Sequence, residues 1–82
     1  ANQSHSEAQL LKGCIRGNRK SQYLLYEQYK TYLYGICLRY AKTPHEAQDI
    51  LQEGFFRILK DIKQFSGTSL KAWMRKVMVN SA

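Results

Sequence analysis

The segment that decides the fold is Thr43–Ile62, which reads TPHEAQDILQEGFFRILKDI. It begins with a threonine hydroxyl for the N-cap, a proline at the first helical position and Glu46 three residues after the cap. This combination predicts a capping box, in which side chains satisfy the free N–H groups at the start of a helix. Apolar residues then recur at helical spacing and predict one broad apolar face: Ala47, Ile50, Leu51, Gly54, Phe55, Ile58, Leu59 and Ile62. We expect this helix to lie at the centre of the core.

Three more helices are predicted around this segment. The first runs over about residues 6–16, with an apolar face formed by Ala8, Leu11 and Ile15. The second begins after the N-cap Asn18 and runs over about residues 19–40, with an apolar stripe of Leu25, Tyr29, Tyr32, Leu33, Ile36 and Tyr40. A loop at 64–69 precedes the fourth helix, whose residues in phase are Leu70, Trp73, Met74 and Val77. The expected fold is all-α, a compact bundle of about four helices in a single domain over residues 1–82.

Charge is distributed unevenly along the 82 residues. Thirteen Lys and Arg against six Asp and Glu give a formal net charge of +7, and such an excess favours a polyanionic partner such as nucleic acid. Between Ala8 and Tyr26, and again after Asp61, the chain has Lys and Arg but no acid, whereas residues 43–54 hold three acids and neither Lys nor Arg. This division indicates two surfaces with opposite partners.

The sequence argues against several classes of protein. No apolar run is long enough for a membrane span or a signal peptide. Cys14 and Cys37 have no neighbouring ligands at zinc spacing, so we expect free thiols in a reducing cytoplasm. His45, Asp49 and Glu53 share one face at i, i+4 and i+8, but no second helix of ligands completes a cage. Since no serine has the setting of a nucleophile either, we expect no metal, no cofactor and no catalytic residue.

The outward face of the central helix carries an unusual mixture of side chains. Opposite the apolar face lie Glu46, Asp49, Gln52, Glu53 and Phe56. A face rich in acids and amides is ordinarily a solvated surface, but an aromatic side chain in its middle gains nothing from water. The combination favours an interface with a basic partner helix. Packing of Phe56 under the first helix is the alternative.

A second surface is predicted from the loop and the fourth helix. Its candidate DNA-binding residues are Lys63, Phe65, Ser66, Gly67, Thr68, Ser69, Lys71, Trp73, Arg75, Lys76 and Asn80. Basic side chains hold phosphates, an indole stacks on a base and an amide reads a base edge. Trp73 also lies in phase with Leu70 and Val77, which is equally typical of a core residue.

The segment DILQEGFFR at residues 49–57 resembles the signature of region 2 in bacterial RNA polymerase sigma factors of the sigma-70 superfamily. Other elements resemble the extracytoplasmic-function branch, namely LKGCIRGN at 11–18, LY at 25–26 with Tyr29, and Phe65-x-Gly67 followed by Trp73 and Asn80. The resemblance extends from about residue 10 to residue 81. It implies a sigma region 2-like bundle and a transcription-initiation function.

The resemblance also implies partners for both surfaces. Asp49, Gln52, Glu53 and Phe56 match the positions that dock on the β′ clamp coiled coil of core RNA polymerase. Residues 63–82 match the −10 loop and the start of the DNA-binding helix, which capture the non-template strand of the promoter −10 element. The domain would then recognise and melt that element as a specificity subunit and not as an enzyme. An anti-sigma factor is a further partner within this family.

Two other interpretations are compatible with a small basic helical domain. One is a protein-binding adaptor without any nucleic-acid function. The other is a helix-turn-helix reader of duplex DNA, which is disfavoured because the best candidate recognition helix is acidic on its outer side. The chain starts at Ala1 and has no helix-stop signal after Met78, so we expect a fragment of a longer protein.

Overall fold

The computed structural model describes residues 6–82, and these residues form four α-helices and one 3-10 turn. Helix α1 spans Glu7–Ile15, α2 spans Arg19–Tyr40, α3 spans Pro44–Asp61, and α4 spans Leu70–Ser81, with the 3-10 turn at Ile62–Gln64 between α3 and α4. The expected all-α bundle is confirmed. The predicted domain range of 1–82 also includes residues 1–5, which lie outside the described residues.

The start of α3 follows the predicted cap in one half and departs from it in the other. The Thr43 hydroxyl accepts a hydrogen bond from the Glu46 N–H at 3.0 Å, with Pro44 at the first helical position. The Glu46 carboxylate, however, accepts from the N–H of Lys42 at 3.2 Å. A capping box would have placed this bond on the N–H of Thr43, so the reciprocal half of the prediction is displaced by one residue. A complete capping box lies instead at the start of α1, between Ser6 and Gln9.

Helix α3 buries its predicted apolar face, but the expectation that it is the central element is wrong, because α2 is the helix that packs against all three others. Helix α3 packs against α2 on one side and α4 on the other, while α1 packs against α2 and the 3-10 turn. Every residue of the predicted apolar face is at least half-buried. The contact with α4 is close at Gly54, where an added Cβ would collide with the side chain of Met78. Met78 itself is fully buried, although the sequence pattern of α4 did not include it.

The predicted apolar face of α1 is wrong. The buried residues are Leu10 and Cys14, whereas Ala8 and Ile15 are exposed and Leu11 is half-buried. A helix of nine residues offers two competing stripes at i, i+4 spacing, and packing decides between them. Helix α1 approaches α2 closely at residue 13, where an added Cβ would overlap the side chain of residue 21.

One residue of the predicted α2 stripe is also misplaced. Leu25, Tyr29, Leu33 and Ile36 are buried as expected, but Tyr40 is 53% exposed. Tyr40 is the last residue of α2, and the chain turns toward α3 immediately after it. The pattern therefore continues beyond the part of α2 that packs against the bundle.

Among the described helices, none combines the length and the apolarity that a membrane crossing requires.

Candidate protein and nucleic-acid interfaces

The predicted protein-binding residues of α3 share one exposed surface, which we call the α3 face: Asp49, Gln52, Glu53 and Phe56. The Phe56 ring is 70% exposed, so the alternative of packing under α1 is wrong. Asp49 lies 3.9 Å from the Nε2 atom of His45, and both side chains are largely in solvent. Glu46, the fifth residue of the predicted face, is engaged at the start of the helix.

Gln52 is the one member of the α3 face that has a hydrogen bond to another helix. Its amide Nε2 donates to the hydroxyl of Tyr26 at 3.3 Å. The Tyr26 ring in turn meets the ring of Phe55 edge-on, with 5.0 Å between centroids. This chain of contacts holds the Gln52 amide in a defined position between α2 and α3.

Phe56 forms a ridge between two grooves. One groove of about 330 Å³ continues toward the end of α4 and is lined by Glu53, Phe56, Arg57, Lys60, Asp61, Asn80 and Ser81. The other, of about 460 Å³, lies between α2 and α3 and includes Arg19, Tyr23 and Leu59 among its lining residues. Because the ring separates two open grooves, a partner helix can contact it from either side.

Sequence reasoning missed the contribution of α2 to this surface. Tyr23 is 60% exposed and lines the groove beside Phe56 together with Arg19. The signal was present in the sequence, because Tyr23 lies opposite the apolar stripe of α2 just as Phe56 lies opposite that of α3.

The second predicted surface, the loop–α4 surface, comprises the eleven candidate DNA-binding residues between Lys63 and Asn80. Residues 66–69 are exposed, and Gly67 has φ +130°, a backbone conformation that side chains disfavour. The Ser69 hydroxyl accepts from the N–H of Ala72 at 3.1 Å and caps α4. Ser69 therefore has a structural function that the sequence interpretation did not assign.

The aromatic residues of the loop–α4 surface contact each other. Phe65 and Trp73 are both half-buried, and their ring centroids are 5.6 Å apart at an interplanar angle of 56°. Both pack against the core cluster. The interpretation of Trp73 as a core residue is thus correct for part of the ring, while the rest remains accessible.

The basic residues of α4 divide into two groups. Lys71 places its Nζ 4.4 Å from the ring centroid of Tyr32 on α2, which is the geometry of a cation–π contact. Arg75 and Lys76 instead line a shallow groove of about 250 Å³ together with Asn80. Since Asn80 also lines the groove beside Phe56, the two predicted surfaces meet at this residue. Lys63 is exposed on the 3-10 turn.

The titratable groups with shifted pKa values lie away from both surfaces. Burial raises the pKa of the Cys14 and Cys37 thiols, which are free. Burial, followed by a hydrogen bond from the Tyr29 hydroxyl to Glu7 at 2.6 Å, raises the pKa of Tyr29 to about 12. Across residues 6–82, no group of three or more His, Cys, Asp or Glu is placed to hold a metal ion.

Comparison with known families matches Sigma-70 region 2 to residues 25–82. This match covers all of α3 and α4 and most of α2. The chain therefore belongs to the sigma-70 region 2 family. Members of the sigma-70 family are transcription initiation factors and not enzymes. The chain is also similar to the RNA polymerase sigma-H factor of Pseudomonas aeruginosa, with 29% identity over 77 residues.

The similarity to the sigma-H factor covers 93% of this chain but 40% of that protein. The sigma-70 region 2 domain described here thus spans about two fifths of the length of this relative. The region 2 match begins at Leu25, so α1 and the first turns of α2 precede it.

Proposed function

We propose that this sigma-70 region 2 domain docks on the β′ clamp coiled coil of core RNA polymerase through the α3 face. We further propose that the loop–α4 surface recognises the promoter −10 element and stabilises its melted non-template strand. The observation that carries the proposal is Phe56, an aromatic ring 70% exposed in the middle of an acidic helix face. Both interactions would take place in the cytoplasm, where polymerase and chromosome meet.

The composition of the α3 face suits a basic helical partner. Aromatic rings that fill a pocket at the centre of an interface contribute much of the binding energy, and Phe56 stands between two grooves that a partner helix can enter. Asp49 and Glu53 are exposed on the same helix and complement a basic partner electrostatically. An anti-sigma factor that covered this face would compete with polymerase.

The loop–α4 surface suits a single strand better than a duplex. Opening DNA without an energy source requires binding energy that exists only for the melted form. The accessible part of the Phe65–Trp73 pair offers an aromatic surface to an unstacked base, and such stacking is absent while the base remains in the duplex. Arg75 and Lys76 lie beside Asn80 in one groove and supply contacts to phosphates.

Docking is tested by titrating the chain with an isolated β′ clamp coiled-coil segment. The triple variant Asp49→Ala/Gln52→Ala/Glu53→Ala should lose most of its affinity because it lacks the polar groups of the α3 face. Glu27→Ala, which removes one exposed acid of α2, is compared with Glu53→Ala, which removes one acid of the α3 face, as the control for charge alone. Unchanged affinity of the triple variant would refute the docking proposal.

Strand binding is tested with single-stranded oligonucleotides that carry a −10-like sequence. Wild-type binding should weaken with salt, as expected for phosphate contacts. The variant Lys71→Ala/Arg75→Ala/Lys76→Ala should bind weakly, while Arg39→Ala, which removes an exposed cation at the far end of α2, should bind like wild type. A chain that binds no oligonucleotide even at low salt would instead support the adaptor function.

A further inference from the structure

A basic groove lies between α1 and α2, and none of its residues belongs to the α3 face or the loop–α4 surface. It has a volume of about 430 Å³. Lys12 of α1, Arg16 at the C-cap of α1 and Lys20 of α2 line it. All three side chains are exposed. The groove also contains the amides of Gln9 and Asn18 and the hydroxyl of Ser21, with Leu10 and Leu24 completing its lining.

The three cations of the basic groove have no acidic partner. The chain contains no acid between Ala8 and Tyr26. The acids on either side are engaged elsewhere, because Glu7 accepts a hydrogen bond from Tyr29 and Glu27 pairs with Lys30 at 3.0 Å. Over the described range 6–82, the ion pairs are Glu27–Lys30 and His45–Asp49, and neither includes a cation of the groove.

The three cations lie at the facing ends of two helices. Lys12 in the last turn of α1 and Arg16 at its C-cap are favoured by the helix dipole, but they are like charges four residues apart and repel each other. Lys20 lies in the first turn of α2, where the dipole disfavours a cation. An external anion would offset the repulsion among the three.

The backbone fixes the spacing of these cations. The helices are joined by a tight turn with Gly17 at φ +81°, and the Asn18 side chain accepts from the Ser21 N–H at 2.9 Å to cap α2. Gly13 lies so close to Ser21 that an added Cβ would overlap it. The two helices are therefore held in close contact at this end, and the groove exists before any ligand binds.

We propose that the basic groove binds the phosphate backbone of DNA without reading its sequence. Cations together with amide and hydroxyl donors are the groups that contact phosphate oxygens. The lining contains no aromatic residue on which a base could stack. Its apolar residues, Leu10 and Leu24, are buried and half-buried, whereas a membrane-binding surface exposes large apolar side chains. The 3-10 turn, which leads into the loop–α4 surface, packs on α1. Helix α1 therefore contacts the segment before the loop–α4 surface and also lines the basic groove.

The test compares two variants of equal charge. The groove variant is Lys12→Gln/Arg16→Gln/Lys20→Gln, and the control is Lys30→Gln/Arg39→Gln/Lys42→Gln, which removes three cations outside the groove. Binding to labelled oligo(dT), which carries no −10 sequence, is measured over a series of salt concentrations.

We expect the groove variant to lose at least about tenfold in affinity at low salt, and its salt dependence to become shallower by about two in logarithmic slope. The control should change by less than about threefold. Equal losses of affinity in both variants would show that only net charge matters, and this result would overturn the proposal. An unchanged affinity in both variants would also overturn it.

Two further measurements distinguish binding of DNA in the basic groove from strand binding by α4 and from binding of an acidic protein. If Lys71→Ala/Arg75→Ala/Lys76→Ala binds oligo(dT) like wild type while the groove variant does not, the groove proposal stands, and the −10 oligonucleotide tests the strand-binding proposal separately. If the groove variant matches its control while the α4 variant binds oligo(dT) weakly, the groove proposal is overturned and the α4 cations are the phosphate contacts. Polyglutamate serves as a competitor, and its displacement of oligo(dT) at equal charge concentration would assign the groove to an acidic protein and overturn the DNA proposal.

Discussion

The α3 face and the loop–α4 surface differ in how far their side chains are already engaged within the domain. On the α3 face only Gln52 has a hydrogen bond to another helix, and the Phe56 ring is open to solvent. On the loop–α4 surface Trp73 packs on Phe65 and Lys71 lies over the ring of Tyr32. The α3 face can therefore bind a rigid partner without losing internal contacts. On the loop–α4 surface, a ligand that engages Lys71 or Trp73 must replace the contacts that these side chains make within the domain.

This difference affects the two proposed ligands in opposite ways. A folded coiled coil gains most from a preformed face, since little conformational entropy is lost on binding. A DNA strand that draws Lys71 away from Tyr32 would lose the energy of that internal contact, which lowers the affinity of the loop–α4 surface. The two surfaces meet at Asn80, which lines a groove of each.

The largest effect is expected for Phe56→Ala. Loss of a central aromatic anchor should weaken binding to the β′ clamp segment by at least about 2 kcal/mol, or roughly thirtyfold. Stability should be unchanged because the ring is exposed. Tyr40→Ala removes another exposed aromatic ring, at the end of α2, and should leave binding intact. If both variants bind alike, Phe56 is not an anchor and the α3 face loses its main support.

A second prediction concerns the scaffold that both surfaces share. Gly54→Ala should lower the free energy of unfolding by about 1–3 kcal/mol, because the added methyl collides with the buried Met78 side chain. The matched control is Gly35→Ala in α2, where no atom lies within 4 Å of the added Cβ. It should stabilise the domain by about 0.5–1 kcal/mol. Chemical denaturation measures both, and equal effects would contradict the close α3–α4 contact.

A third prediction separates folding from DNA binding within the loop. Ser69→Ala should cost about 1 kcal/mol of stability because α4 loses its N-cap, and Ser69→Asn should restore most of it. Ser66→Ala, an exposed neighbour, should not change stability. If Ser69→Ala also weakens oligonucleotide binding, and Ser69→Asn restores the stability but not the binding, then the Ser69 hydroxyl contacts DNA directly.

The smallest effect is expected for the contact between Tyr32 and Lys71. A double-mutant cycle with Tyr32→Leu and Lys71→Met should give a coupling energy of about 0.5–1 kcal/mol in the absence of DNA. The cycle for Tyr26 and Lys30, whose Nζ lies 6.0 Å from the ring centroid, should give less. A coupling energy of zero between Tyr32 and Lys71 would mean that the contact does not hold Lys71 within the domain. The difference in internal engagement between the α3 face and the loop–α4 surface would then be smaller.

Sequence patterns predicted most of the fold because the long helices have a single dominant apolar face. The predicted apolar face of α3 was correct throughout, because in a helix of eighteen residues only one face contains all the apolar positions of the pattern. The nine-residue α1 was assigned the wrong face because Leu10/Cys14 and Leu11/Ile15 have the same spacing. The packing of α1 against α2 and the 3-10 turn, which the sequence pattern does not contain, buries Leu10 and Cys14.

The candidate sites were predictable in composition but not in contacts. Residue types and helical phase placed Phe56 on the exposed side of α3 correctly. Neither could show that Lys71 rests on Tyr32, since the two are 39 residues apart in sequence and meet only when α4 packs near α2. The participation of Tyr23 beside Phe56 also depends on the packing of α2 against α3.

Two surfaces are proposed to bind two different ligands, and one crossed titration tests this division. The α3-face variant Asp49→Ala/Gln52→Ala/Glu53→Ala and the α4 variant Lys71→Ala/Arg75→Ala/Lys76→Ala are each titrated with the β′ clamp segment and with the −10 oligonucleotide. We predict that the first variant loses affinity for the clamp segment alone and the second for the oligonucleotide alone. Loss of both ligands in either variant, or of neither ligand in both, would contradict the account.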